Sequence, residues 1–378
     1  MIWKTNNLKR IAIFVPGGLG DVRSGIHIPT LYSLVERLSY RFEIVAYSHR
    51  LPDEQPVMKR CGNATVQYLN ATHKTDPATR AAVFLKAFLH DNREHPFALL
   101  HGMWGIPFGL YAVLLDKLLG IPTIVSLLGR ETASNPEINY GDLRKQPQKW
   151  LTLWLCENAT TLTVQSKYQL EQLRAHGLKR NNVNVIPHGI DTSRFASHNN
   201  GHSAPPYHFI SVGDKNRLKD PFTLLKAFAL ITQQVDARLR LIGEDHLHGE
   251  LQMFVNELGI SQRVEFFDYI PHDEIPNHLS WADILLHTSL SEGGGASVLE
   301  ATTHGVLVCG TRVGFLSDFE DTIAVAVDVG DYQSLADKVL SLLHDKSRQR
   351  LLRQRGREWS SAHDVDWTAQ KYSELYET

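Results

Sequence analysis

Short apolar segments alternate with longer amphipathic segments along most of this chain, and this alternation restricts the fold more than any other feature. The stretches between the apolar segments carry apolar residues three or four positions apart, as in 28–40. Buried strands that alternate with amphipathic helices are typical of a parallel α/β sheet. In the first half of the chain, the candidate strands are 10–15, 42–48, 97–102, 122–128, 160–166 and 183–187.

The alternation stops once and then restarts. Residues 197–206, SHNNGHSAPP, are polar, contain one glycine and two prolines, and show no apolar periodicity, which predicts a linker. A chain of 378 residues is also long enough to form two separate cores. We therefore predict two Rossmann-like, doubly wound α/β domains, 1–196 and 207–360, facing a central cleft. The candidate strands of the second domain are 207–213, 238–243, 264–270, 282–289 and 306–310.

The charge balance argues against a nucleic-acid partner. The formal net charge is −2 and the isoelectric point is about 6.8, so no global positive field exists to hold a polyanion. The three cysteines lie far apart and form no CxxC pair, which indicates idle thiols in a reducing compartment.

The apolar segments do not predict a membrane span. The longest apolar region, 108–129, is interrupted by Asp116, Lys117 and Pro122. We therefore expect a cytoplasmic protein. The basic helical segment 331–359 leaves two readings, a peripheral contact with the inner face of a membrane and a solvated helix face, of which the second is the more common.

The segment SEGGGASVLEA, residues 291–301, places three consecutive glycines between Glu292 and Glu300. Glycine is the residue whose backbone is most costly to order, so a run of three needs a reason. The glycines lie at a predicted turn from a strand to a helix, where unpaired N–H groups and the positive end of the helix dipole favour an anion. We predict a phosphate site at this turn.

The two glutamates suit a ligand that carries hydroxyl groups beside its phosphates. Carboxylates accept strong hydrogen bonds from hydroxyls. A phosphate site with a carboxylate on each side therefore suits a sugar nucleotide. A structural alternative exists, because Ser297 to Glu300 also has the S-x-x-E pattern of a helix capping box. The local pattern alone leaves both readings open.

Several motifs together resemble one enzyme family. The stretch EGGGASVLEATTHGVLVCGTRVG, from Glu292 onward, resembles the E-x7-E signature of the retaining glycosyltransferases of family four, which have the GT-B fold and usually read EGFGLPVLEAMACGTPVV. VNVIPHGIDTSRF (183–195), KDPFTLLKAFALI (219–231) and FALLHGMWG (97–105) resemble further family motifs in the same order. The resemblance covers nearly the whole chain and is weakest at 50–95 and 130–155.

The resemblance implies a retaining hexosyltransferase. Such an enzyme moves a sugar from a nucleoside-diphosphate-sugar donor to an acceptor hydroxyl, in polysaccharide or glycoconjugate synthesis. The acceptor is expected to be a saccharide or a lipid-linked molecule. No Asp-x-Asp motif lies where a diphosphate would need one, so we expect neither a metal nor another cofactor. The terminal segment, 361–378, is expected to form a helix that packs back on the first domain.

The resemblance also assigns the catalytic residues. The family's phosphate-binding lysine falls on Lys219, but its arginine has no counterpart, because Asp214 stands where that arginine belongs. Arg217 or Lys215 is then the candidate second cation, and Arg217 is favoured because its fork can bind two phosphate oxygens. Glu292 is expected beside the hydroxyls of the donor sugar and completes the catalytic set.

The donor-binding residues are assigned in the same way. Glu300 is expected to accept from the nucleotide ribose. His272 is expected either to influence the choice of base or to have no role. The remaining contacts are expected near the glycine pair after the first strand and from backbone groups in the second domain: Gly17, Gly18, Ile270, Gly294, Gly295, Ala296 and Ser297.

One departure from the family pattern bears on activity. Leu128 stands where the family usually has a histidine close to the donor sugar, which weakens any claim of efficient catalysis. His101 is the nearest motif histidine, and it is expected either in the cleft or in a structural role. Two alternatives therefore remain, a non-catalytic sugar-nucleotide-binding protein and a sugar-nucleotide epimerase of the same fold, although the epimerase would need a carboxylate pair and a histidine that we do not find.

Overall fold

A computed structural model of the protein describes residues 8–20, 28–49, 57–69, 75–195 and 204–378. Most of the predicted linker, residues 197–203, lies outside the described residues. The described residues form two α/β sheets, one in each half of the chain, which confirms the predicted fold class. The residue bounds given above for the domains stay predictions.

The first sheet has eight strands in the order β3-β4-β2-β1-β5-β6-β7-β8. Its strands are β1 (Arg10–Val15), β2 (Glu43–Ser48), β3 (Val57–Cys61), β4 (Ala64–Tyr68), β5 (Leu99–Met103), β6 (Thr123–Leu127), β7 (Thr161–Val164) and β8 (Asn184–Val185). The helices of this half are α1 (Pro29–Leu38), α2 (Pro77–Glu94), α3 (Leu110–Leu119), α4 (Gln148–Asn158) and α5 (Lys167–Ala175).

One part of this sheet departs from the prediction of parallel strands. Strands β3 and β4 pair antiparallel and form a hairpin, whereas the other neighbouring strands of this sheet pair parallel. The hairpin turns at Gly62 and Asn63, and Gly62 has a φ of +56°. A two-residue loop with a glycine is a common hairpin connection, but it lies in a segment that carries no long apolar run.

The second sheet has six strands in the order β11-β10-β9-β12-β13-β14, and its neighbouring strands pair parallel. Its strands are β9 (Tyr207–Val212), β10 (Ala237–Ile242), β11 (Val264–Phe267), β12 (Ile284–His287), β13 (Leu307–Thr311) and β14 (Ala324–Val327). The helices are α6 (Pro221–Thr232), α7 (Glu250–Glu257), α8 (Ile275–Trp281), α9 (Ala296–His304), α10 (Phe315–Asp318), α11 (Tyr332–His344), α12 (Lys346–Ala362) and α13 (Val365–Glu377).

Apolar cores cover both faces of each sheet, as the continuous apolar strands predict. Strand β1 is a clear case, because the five residues after Arg10 are all buried. On one face, Phe14 of this strand meets the rings of Phe84 and Phe88 edge-on at centroid distances of 4.7 and 5.5 Å. These cores fix the strands, so the loops at the carboxyl ends of the strands have a rigid base.

The last helix, α13, packs against α1 of the first half of the chain. A buried polar network joins it to the first sheet: His101 Nδ1 lies 2.6 Å from Tyr376 Oη, and His101 Nε2 lies 2.7 Å from Ser126 Oγ. Burial, followed by the nearby His188, lowers the pKa of His101 to about 3, so its ring is neutral at pH 7. His101 is therefore a structural residue beneath α13 and does not reach the cleft.

Among the residues that the structure describes, no helix is both long enough and apolar enough to cross a membrane.

Candidate active site

A cavity of about 430 Å³ lies between the two sheets, and loops at the carboxyl ends of strands form its walls. Ligands of open α/β sheets bind outside the carboxyl ends of the strands, so this is the expected place for a site. The first domain contributes a mostly apolar wall that includes Ile28, Trp104, Leu128, Gln165 and His188. The second domain contributes Gly213, Lys219, Gly243, Tyr269, Ile270, His272, Glu292, Gly294, Gly295, Ala296, Ser297 and Glu300, among others.

The three glycines of the turn before α9 are required for different reasons. Gly295 precedes the first residue of α9 and has a φ of +115°, a conformation that residues with a side chain rarely adopt. A Cβ on Gly293 would overlap the carbonyl oxygen of Leu128, and a Cβ on Gly294 would lie 2.7 Å from both Gln165 Oε1 and Phe315 Cε2. The space beside Gly293 and Gly294 is therefore filled by residues of the first domain and by Phe315, which the sequence pattern did not indicate.

Lys219 and Glu292 form an ion pair in the wall of the cavity. Glu292 Oε1 accepts from Lys219 Nζ at 2.5 Å and from Ser289 Oγ at 2.7 Å, and His287 Nε2 lies 3.2 Å away. Burial alone would raise the pKa of Glu292, but the charge of Lys219 and the His287 contact outweigh it and hold the pKa well below the usual range. Glu292 is therefore an ionised acceptor, and it cannot act as a proton donor near neutral pH.

His287 is a site residue that the sequence analysis missed. It ends strand β12 and is only 4% exposed, directly below the glycine turn. The segment 282–289 predicted the strand, but its sequence pattern does not indicate that the side chain of His287 faces Glu292.

The structure does not bring Arg217 or Lys215 into the cavity wall. Arg217 Nη2 pairs with Glu250 Oε2 at 2.5 Å, and its guanidinium lies 4.9 Å from the centre of the Phe222 ring. Lys215 is buried and donates from Nζ to the carbonyl oxygens of Gly243 and Phe267. Lys219 is thus the cation that the described residues place at the cavity, and a second cation stays a prediction.

Glu300 does not form the capping box that its sequence context allowed. Helix α9 begins at Ala296 with Gly295 before it, and no side chain caps its start. Ser297 lies inside the first turn rather than at the capping position. Glu300 Oε1 instead accepts from His272 Nε2 at 2.8 Å, and both side chains line the cavity. The ligand reading of Glu300 is therefore the one that its position favours.

Gly17 and Gly18 are buried after β1 and are not among the lining residues, so their proposed contact with the donor stays a prediction. Ile28, whose N–H donates to Gly18 O at 3.0 Å, does line the cavity. Leu128 also lines it, so the departure from the family pattern places an apolar side chain in the wall. Within the described ranges, no three His, Cys, Asp or Glu side chains are arranged to hold a metal ion.

Two Rossmann-like domains with a cavity between the carboxyl ends of their strands are the arrangement of the GT-B fold. The sequence model of the family described as "Glycosyl transferases group 1" matches residues 193–359, and that of "Glycosyl transferase 4-like domain" matches residues 25–189. The chain belongs to this glycosyltransferase family. This confirms the prediction that it is a hexosyltransferase.

Similar proteins include both curated relatives and solved structures. The chain is 24% identical over 298 residues to N-acetyl-alpha-D-glucosaminyl L-malate synthase of Bacillus anthracis. The alignment covers 74% of this chain and 73% of that protein. The sucrose-phosphate synthase of Thermosynechococcus elongatus superposes with a TM-score of 0.82 at 20% identity, covering 98% of each chain. The Anabaena protein HepE, solved in complex with UDP-glucose, superposes with a TM-score of 0.74 at 16% identity, covering 97% of this chain and 99% of that chain. At these identities the two solved structures establish the fold.

Proposed function

We propose that this glycosyltransferase moves a sugar from a nucleoside-diphosphate donor to an acceptor hydroxyl, with retention of configuration and without a metal. The observation that carries the proposal is the convergence of four features in one cavity: a glycine turn at a helix start, Lys219, and the carboxylates of Glu292 and Glu300. A diphosphate meets the positive groups, and the hydroxyls on either side of it meet the carboxylates. The complex of the Anabaena relative with UDP-glucose supports a donor of this kind.

The diphosphate is proposed to lie across the start of α9. Backbone N–H groups of Gly294, Gly295, Ala296 and Ser297 are free of intrahelical partners there, because the first N–H groups of any helix lack them. Lys219 Nζ lies 2.5 Å from Glu292 Oε1, so it offsets the negative charge that Glu292 would otherwise present to the phosphates. The ribose then lies towards Glu300, and the transferred sugar lies towards Glu292.

The reaction follows from this placement. The bond between the anomeric carbon and the diphosphate oxygen breaks, and the acceptor oxygen bonds to the same face of that carbon. The leaving phosphate oxygen takes the acceptor proton, so no protein base is required. Lys219 and the N–H groups of the turn stabilise the charge that grows on the leaving diphosphate, an electrostatic contribution of the kind that usually dominates catalysis. Glu292 orients the sugar as a permanent acceptor for its hydroxyls.

The acceptor is proposed to be a saccharide or a lipid-linked molecule bound by the first domain. Curated relatives are named for small hydroxylated acceptors, L-malate in one case and D-inositol 3-phosphate in several, so a hydroxyl on a compact polar molecule also fits. If the acceptor is lipid-linked, the protein meets it as a peripheral protein at the inner face of a membrane.

The two alternatives receive less support. Glu131 of the first domain, a candidate carboxylate for an epimerase, is fully buried and accepts from the backbone N–H groups of Gly105 and Gly129 at 2.7 and 3.0 Å. It holds two loops together and is not available for proton transfer. A non-catalytic binding protein would keep the donor site and lack turnover, so an activity measurement separates it from the enzyme.

A thermal-shift panel tests the donor class. UDP-, GDP- and ADP-glucose are added to the protein in EDTA, with free glucose as the control. A ligand at 100 times its Kd stabilises the folded state by about 2.7 kcal/mol, so one base should raise the melting temperature by several degrees. If none of the three nucleotides shifts the melting temperature at millimolar concentration, the proposed donor site is wrong.

A further inference from the structure

We propose that His272 is a positioning residue that holds the Glu300 carboxylate ready for a ribose hydroxyl, and that it thereby sets how strongly the enzyme prefers ribonucleotides to deoxyribonucleotides. The inference rests on the proposed function, because it takes the ribose of a nucleotide as the ligand of Glu300. It goes further in naming a residue and a measurable specificity that the sugar-transfer reaction itself does not require.

The contact between the two side chains is close and sheltered. His272 follows β11 in a short helical turn, and its Nε2 lies 2.8 Å from Glu300 Oε1. The side chains of His272 and Glu300 are only 18% and 7% exposed. An ion pair or hydrogen bond with so little exposure is weakly screened by water and salt, so it can fix the orientation of the carboxylate.

Among the described residues, one of the two ring nitrogens of His272 has a hydrogen-bond partner. A carboxylate accepts hydrogen bonds, so the contact with Glu300 assigns a donor N–H to His272 Nε2. The other ring nitrogen, Nδ1, is buried and has no hydrogen-bond partner among the described residues. Phe195 packs against the ring at a centroid distance of 5.6 Å and limits its rotation. The apolar contact with Phe195 therefore holds the ring in an orientation in which Nε2 faces Glu300.

The arrangement leaves one carboxylate oxygen for the ligand. His272 occupies Oε1, and among the described residues no other side chain donates to Glu300. An unheld glutamate loses considerable rotamer freedom when it is fixed on a ligand. A glutamate that is already held loses less, which is how a preorganised site gains affinity.

The consequence is a preference that can be measured. A hydrogen bond from a ribose hydroxyl to a fixed carboxylate corresponds to roughly a tenfold to hundredfold difference in affinity between a nucleotide and its deoxy analogue. Without His272, Glu300 must be ordered by the ribose itself. The affinity for the ribonucleotide should then fall by about tenfold, while that for the deoxynucleotide, which makes no such bond, should stay unchanged.

The test compares substitutions at His272 by isothermal titration of the full-length protein. His272→Phe keeps an aromatic ring against Phe195 but removes the N–H donor, whereas His272→Gln keeps a donor close to the position of Nε2. Glu300→Gln serves as the reference for loss of the carboxylate. The probes are UDP, 2′-deoxy-UDP and 3′-deoxy-UDP, with the corresponding GDP and ADP sets in parallel.

The parent protein should bind one ribonucleotide at least about tenfold more tightly than one of its deoxy analogues. His272→Phe and Glu300→Gln should both bring that ratio close to one, and His272→Gln should restore most of it. In a turnover assay, His272→Phe should raise the donor KM more than it lowers kcat. Should the Phe variant fail to fold, His272→Leu, which also lacks a donor, takes its place.

The outcomes distinguish a failure of the positioning role of His272 from a failure of the proposed function. If the parent discriminates and His272→Phe retains the same ratio, or if His272→Gln behaves like His272→Phe, the positioning role is wrong while the donor site stands. If the parent binds ribo- and deoxynucleotides equally, the ribose role of Glu300 is wrong while the donor site stands. If it binds none of them, the proposed function is wrong as well.

Discussion

Replacing Lys219 with alanine is expected to lower turnover by about 10²–10³-fold, with a much smaller change in nucleotide affinity. The reason is that the charge of Lys219 matters most when the diphosphate leaves, since negative charge grows on it at that moment. The variant also removes the ion-pair partner of the buried Glu292, which then keeps Ser289 and His287 as its partners among the described residues. The measurement is kcat with saturating donor, combined with the Kd of the nucleoside diphosphate by titration.

Two further variants make this result interpretable. Lys226→Ala is the matched control, because Lys226 is an exposed lysine on α6 that lies over the Tyr332 ring and not in the cavity, and its removal should leave kcat unchanged.

Arg217→Ala tests the second cation. A loss of the same order as for Lys219→Ala would mean that Arg217 leaves Glu250 and joins the site. A loss below about fivefold would mean that it stays in an exposed pair of little energetic value. If Lys219→Ala retained full turnover, the electrostatic mechanism would be wrong.

Gly294→Val is expected to abolish nucleotide binding, with a loss of affinity of at least about 10²-fold, while the protein remains folded. A Cβ at this position already lies 2.7 Å from Gln165 and Phe315, so the larger side chain must displace both and enter the space proposed for the diphosphate. Overpacking of this kind destabilises a protein by about 1–3 kcal/mol, which should leave the fold intact. Titration with the nucleoside diphosphate and a melting curve measure the two effects separately.

The control for destabilisation alone is Gly356→Val. A Cβ on Gly356, in α12, lies 2.7 Å from Thr302 Cγ2, an equally short approach, but Gly356 does not line the cavity. This variant should lower the melting temperature by a comparable amount and still bind nucleotide. The proposed diphosphate-binding site is wrong if Gly294→Val binds nucleotide as tightly as Gly356→Val does.

Local patterns in the sequence predict most of the framework and part of the site. Apolar runs separated by amphipathic stretches are sufficient for a parallel α/β fold, since each element shows its own periodicity. The glycine turn, Glu292 and Glu300 are also predictable, because they belong to one short motif at a turn from a strand to a helix, whereas Lys219 is assigned by the family resemblance. The structure brings all four features to one cavity.

Contacts between distant residues account for what the sequence does not predict. Arg217 is drawn to Glu250, 33 positions away, and a long side chain in a loop gives no local sign of its partner. His101 is buried by Tyr376, 275 positions away, at the end of the last helix. His272 reaches Glu300 only because the turn after β11 lies beside α9, a relation that depends on the order of strands in the sheet.

The most direct test of the proposed reaction is the configuration of the transferred sugar, followed by proton NMR in EDTA with the α-linked donor that the binding panel identifies. From the proposed reaction, we expect the first product to carry the sugar in the α configuration, one nucleoside diphosphate to be released for each sugar transferred, and added Mg²⁺ to change the rate little. A first product in the β configuration, or turnover that occurs only when a divalent metal is added, would contradict it.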